Sequence, residues 1–198
     1  MKLIRNISIL RIILNISTLI LLMIPWYQLG ISFPTVIAGG KIIIDTKFLV
    51  VGIIYLFLLA FKFIKSQMKQ KKSKELKLLL EIEKSSDEIF ILGILIILAY
   101  HGFCSVIIPI ILLIKYIVEE TMKKISADNG KMNEKSKLGL WCQITLNAGI
   151  ALMLFYNLPF ELWNFYFADA LILIACVLSI LNGCIYYLQA RNLLINKK

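Results

Sequence analysis

"KFIKSQMKQKKSKELKLLLEIEKSSDE", residues 62–88, separates two long apolar runs and carries eight lysines and five acids. Lys62 and Lys65 are three residues apart, and Glu83 and Asp87 are four apart. On helices each pair occupies one face, because positions i, i+3 and i+4 are surface neighbours. So charged a segment inside so apolar a chain reads as a loop at a membrane surface, with its outermost charges on the helices that flank it.

The whole chain has 198 residues, of which 60% are hydrophobic. A soluble domain of this size cannot bury that much apolar side chain. Here the apolar residues come in runs near the roughly 20 residues that span a bilayer. Six runs are expected to span: 7–24, 48–64, 88–104, 106–118, 138–156 and 168–188. The expected fold class is all-α, a single polytopic membrane domain over 1–198. The first run follows basic residues as a signal peptide would. It lacks a small-x-small cleavage site, however, and Pro25-Trp26-Tyr27 follows it as an interfacial anchor. The fourth is short and contains Pro109. It is expected to pair with the third as a tight hairpin through His101-Gly102 and to continue as a helix through 119–127.

Charge orients these spans. The formal net charge is +10, and the basic residues gather in alternate regions. The amino-terminal segment, the second and fourth loops and the tail together hold 20 of them, and the other loops hold only Lys41 and Lys47. The positive-inside rule then puts both termini in the cytoplasm. The charges read as confined to loops, with no interleaved aromatic residues, which argues against a nucleic-acid partner. Lysines beside a membrane instead attract anionic lipid, at about 1 kcal/mol each. The four cysteines form no C-x-x-C pair and read as reduced structural thiols. The single histidine, His101, reads as a turn or interface residue. Against transport, the spans are read as free of charge near mid-membrane and poor in Gly/Pro breaks.

Three further stretches bear on function. "SILR" (Ser8 to Arg11) opens the first span. "ADNGKMNEKSKLGLW" (127–141) contains Ser136-Lys137-Leu138-Gly139, and Lys115 precedes Gly139 by 24 positions. Together with the 62–88 segment these resemble the CDP-alcohol phosphatidyltransferases, and the 127–141 loop is similar to that of the phosphatidylglycerophosphate synthase branch. The family signature is D-x-x-D-G-x-x-A-R, eight residues, then G-x-x-x-D-x-x-x-D. It lies on this chain without a gap, but most residues differ. Its four aspartates fall on Lys62, Lys65, Glu83 and Asp87, and its remaining positions on Ser66, Lys69, Gln70 and Leu79. The lysines that follow the glycine in the family's loop are replaced by Leu140 and Cys142.

The resemblance implies a membrane enzyme whose aspartates hold two magnesium or manganese ions against a CDP-lipid diphosphate, the last aspartate serving as base. With lysines at two of the four positions, metal binding and catalysis are expected to be lost, leaving no metal site and no cofactor. Two lysines facing Glu83 and Asp87 are expected to neutralise them, so that an ion-pair site replaces the metal site. Ser8, Arg11, Lys115, Lys131 and Lys137 would still hold a phospholipid head group. The partners implied are membrane phospholipids and a homodimer or a heterodimer with an active paralogue. The expected location is the cell membrane, with the motif face cytoplasmic. Two other readings stay open: an active transferase moving a phosphatidyl group to glycerol-3-phosphate or another alcohol, and an unrelated six-helix accessory or immunity protein.

Overall fold

A computed structural model of the chain describes residues 2–40, 42–67, 74–128 and 137–195. Six helices dominate it: α1 Lys2–Met23, α2 Thr46–Gln67, α3 Lys74–Tyr100, α4 Ile107–Asp128, α5 Lys137–Leu154 and α6 Phe167–Ile195. Between α1 and α2 lies a small antiparallel hairpin, β1 Thr35–Ala38 and β2 Ile42–Asp45, in which Thr35 pairs with Asp45 and Ala38 with Ile42. Four helices, α1, α2, α5 and α6, are long and apolar enough to cross a membrane. α3 and α4 are also long, at 27 and 22 residues. Each carries several charges at one end, Glu81 to Glu88 in α3 and Lys115 to Glu120 in α4.

The third helix begins at Lys74, well before the expected 88, and residues 101–104 expected within it form the turn into α4. The fourth runs on to Asp128, as its short apolar stretch requires. The hairpin was not foreseen, although its signal is present: TVIA and IIID, both rich in β-branched residues, flank Gly-Gly-Lys. Gly39 and Gly40 sit at φ +58° and +69° in that turn, where a side chain would be strained.

The helices bury stripes of alternating three- and four-residue spacing, the seam that lets one helix pack along another. On α1 the stripe is Ile4, Ser8, Arg11, Asn15, Thr18 and Leu22, apolar only at its ends. On α2 it is Phe48, Val51, Tyr55, Leu58 and Lys65, with half-buried Lys62 in register. On α3 Glu83 and Asp87 precede Phe90, Ile94 and Leu98. This corrects the expectation that the charges are confined to loops, since several lie on helix faces. Arg11, Lys65, Glu83, Asp87 and Glu119 are all buried among helices. Burial of charge is tolerated where opposite charges and hydrogen bonds meet it.

The main packing contacts form a closed ring in the order α1, α2, α5, α6, α4, α3 and back to α1. Its apolar centre includes Val51, Tyr55, Ile94, Leu95, Ile150, Leu154 and Ile172. The connections α1–α2, α3–α4 and α5–α6 meet at one end of this ring. There the Asp45 N–H donates to the Tyr156 hydroxyl at 2.9 Å, and Phe48 packs on His101 and Phe103. α5 and α6 approach closely at Gly149, where a Cβ would lie 2.6 Å from Ile172 Cγ1 and 3.3 Å from the Ile172 nitrogen. Small residues at such crossings let membrane helices touch backbone to backbone. Gly149→Ala should therefore cost about 1–3 kcal/mol through overpacking. Thermal unfolding in detergent micelles reads this, and an unchanged melting temperature would show that the crossing has slack.

Candidate functional site

At the end of the ring opposite those connections, α1, α2 and α3 bring seven polar side chains together. Glu83 and Asp87, one turn apart on α3, face Arg11 of α1. Arg11 Nη1 donates to Glu83 Oε1, while Nη2 donates to Asp87 Oδ1 at 2.8 Å and Oδ2 at 2.7 Å. One guanidinium thus bridges both carboxylates, a task for which its planar fork of donors is suited. From α2, Lys65 Nζ donates to Glu83 Oε2 and to Ser8 Oγ, the latter at 2.7 Å. The Ser8 hydroxyl in turn donates to the Ile4 carbonyl at 2.9 Å. Asn15 Nδ2 donates to Asp87 Oδ1 at 3.0 Å. Lys62 is the loosest member: its Nζ lies 3.5 Å from Asp87 Oδ2, and its side chain keeps 35% of its exposure against 5% for Arg11 and 7% for Lys65.

Three cations therefore face two carboxylates, leaving one positive charge in excess. The four motif-aligned positions, Lys62, Lys65, Glu83 and Asp87, do meet, and Ser8 and Arg11 join them. The pairing differs from the expected one at its centre. Arg11, assigned by resemblance to a head group, spends its terminal nitrogens on the two acids, and Ser8 is occupied by Lys65. Sequence reasoning missed Asn15 altogether. The signal was the polar stripe Ser8-Arg11-Asn15-Thr18, spaced three, four and three residues in an otherwise apolar helix, since polar residues in membrane helices face the bundle interior. Two polar atoms in the cluster, Arg11 Nε and Asn15 Oδ1, are buried without a hydrogen-bond partner.

Lys115 and Lys137 lie away from this cluster. Lys115 Nζ is 3.2 Å from Glu119 Oε1 on the same face of α4. Buried Glu119 accepts from Asn182 Nδ2 of α6 at 2.5 Å. Asn182 in turn abuts Gly139, whose Cβ would lie 3.3 Å from Asn182 Nδ2. A chain of contacts thus joins Lys115 to the Ser-Lys-Leu-Gly stretch, with Glu119 and Asn182 as links that sequence reading did not supply. Lys137 is exposed at the start of α5. Lys131 lies outside the described residues.

The donor set does not fit a divalent ion. Hard cations need several oxygen ligands, and both carboxylates here already accept from cations. A divalent ion about 4 Å from one ammonium is repelled by roughly 8 kcal/mol at an effective dielectric of 20. Among the described residues no three His, Cys, Asp or Glu side chains group as metal ligands. All four cysteines are free, and Cys142 Sγ lies 2.8 Å from Ser179 Oγ. His101 packs edge-on against Phe48 and Tyr100. Its pKa is lowered by burial first and by the Lys47 charge second, against the pull of Asp45.

Fold and site define an α-helical protein with membrane-spanning helices and a buried network of ion pairs between three of its helices. No protein-family model matches the chain, and no curated protein matches it either.

Proposed function

We propose that the protein is a catalytically degenerate membrane protein resembling phosphatidylglycerophosphate synthases, which binds anionic phospholipid head groups at the α1–α2–α3 cluster. The observation that carries this reading is the charge excess, three cations against two carboxylates, with Lys62 the most exposed and most loosely held. Ammonium groups can hold phosphate without a metal. The ion pairs would hold the cluster together in place of a metal. In this reading all six helices span the cell membrane, both termini and the cluster face the cytoplasm, and the hairpin end faces outward. The 20-to-2 division of basic residues and the meeting of three connections at one end support that orientation. A second copy or an active paralogue would be the membrane partner.

The test is CMP release by purified protein in lipid micelles with CDP-diacylglycerol, a panel of alcohol acceptors, and magnesium or manganese. An intact family enzyme serves as the positive control. The expected result is no release above background, together with a raised melting temperature on adding phosphatidylglycerol in metal-free buffer. Release above background would return the chain to the active transferases. No release and no response to any anionic lipid would leave an unrelated helical membrane protein.

A further inference from the structure

At the hairpin end of the ring lies a cleft of about 610 Å³, separate from the ion-pair cluster. It is built by three elements distant in sequence: β2, the α3–α4 turn and the α5–α6 connection. Its size falls within the range of small-molecule sites, about 300–1,000 Å³. Two carboxylates, Glu161 and Asp169, line it alongside the rings of Phe103, Tyr156 and Tyr166, and among the described residues no lysine, arginine or histidine does. Among the described residues no cation lies within ion-pair distance of either acid. Two further ionisable groups in the wall, Cys104 and Tyr156, are held towards their neutral forms. Burial pushes the Cys104 thiol up to about 11, helped by Asp169 and Cys176, and it also raises the Tyr156 phenol and, with the Glu161 charge beside it and against a backbone hydrogen bond, the Asp169 carboxyl.

The wall is held in place by buried Asn157, only 6% exposed. Its Nδ2 donates to Glu161 Oε2 at 3.2 Å and to the Phe165 carbonyl at 2.7 Å, and its Oδ1 accepts from the Ala168 N–H at 3.0 Å. Asn157 thereby fixes Glu161 and the first turn of α6, which carries Asp169. Asn157 and Tyr156 hold φ of +54° and +56°, a left-handed conformation uncommon outside glycine. Tyr156 is pinned in turn by the Asp45 N–H.

We propose that this cleft binds a small organic cation, an ammonium group on an apolar body. The two carboxylates meet the charge, and the aromatic faces meet the methyl or methylene groups around it, as aromatic walls do for quaternary ammonium ligands. A bare metal ion fits less well. Calcium takes six to eight oxygens, whereas two carboxylates line this wall, and the space far exceeds one ion. The proposal is independent of the head-group reading, which concerns the opposite end of the molecule. The ammonium can belong to a free amine or to the ethanolamine head group of a lipid, and both present the same chemistry.

The experiment uses the full chain in detergent micelles and in nanodiscs. Titration calorimetry follows choline, ethanolamine, the uncharged dimethylbutanol isostere of choline, and calcium chloride. A second arm compares nanodiscs with and without phosphatidylethanolamine for competition with free ethanolamine. The expected result is saturable binding of an amine and none of the isostere. Glu161→Gln with Asp169→Asn should weaken amine binding more than tenfold. Tyr166→Ala, at an exposed wall position, should weaken choline severalfold without changing the melting temperature. Competition by phosphatidylethanolamine assigns the ammonium to lipid, and its absence assigns it to a free amine. Equal binding of the isostere, tighter binding of calcium, or no saturable amine binding by the folded parent would each overturn the proposal.

Discussion

Glu83→Leu is expected to destabilise the protein by about 3–5 kcal/mol, the cost of leaving a buried charge without its partner. Glu83 is the acid shared by Arg11 and Lys65, both buried. Its removal leaves Arg11, Lys62 and Lys65 facing Asp87 alone. Against a typical total stability of about 5–15 kcal/mol, this is a large fraction. Arg11→Met should cost less, because it leaves Lys65 on Glu83 and Lys62 on Asp87 and removes the charge excess. Adding Lys65→Leu to Glu83→Leu should recover part of the loss, since it withdraws one orphaned cation and replaces a polar pair by apolar packing. Denaturant unfolding in micelles measures all three variants beside the parent. If Glu83→Leu cost no more than Arg11→Met, shared neutralisation by Glu83 would not be what holds the cluster.

The second large effect follows from reversing the lysines. Lys62→Asp with Lys65→Asp places four carboxylates around one arginine, turning an excess of one positive charge into an excess of three negative charges. In metal-free buffer the double variant should melt well below the parent, because like charges now crowd a buried site. Magnesium or manganese should then restore much of the loss, because ions that bind only the folded state stabilise it by mass action. The parent should show no such response. A double variant as stable as the parent without divalent ions would sink the ion-pair reading. A destabilised variant that divalent ions fail to rescue would show that the four positions do not converge as ligands, and the resemblance at 62–87 would lose its meaning.

Much of the fold was legible from local pattern alone. Runs of apolar residues marked helices, and the basic loops divided them into alternating sets. The short apolar part of α4, followed by charge, correctly required a helix that outlasts its apolar stretch. Boundaries fared worse where charge and helix coincide: α3 begins at Lys74 because charged residues extend a helix as readily as apolar ones. The hairpin's signal is equally local, Gly39-Gly40 between two β-branched runs, but each strand is only four residues long and is easily outweighed by the long apolar helices on either side.

The cluster divides in the same way. That Lys62 and Lys65 share a face, and that Glu83 and Asp87 do, follows from helical periodicity, which is local and needs no fold. Which helix those faces meet does not follow from it. Arg11 reaches its two acids across 72 and 76 positions of sequence. Only the ring order of the helices, with α1 packed against both α2 and α3, places it between them. The cleft at the far end is more dependent still, because no single stretch contains it: β2, the α3–α4 turn and the α5–α6 connection must first come together. Hydrophobic periodicity and charge bias are properties of neighbouring residues and determined the class of this protein. The pairing of buried charges is a property of helix neighbours in space, and tertiary packing alone decided it.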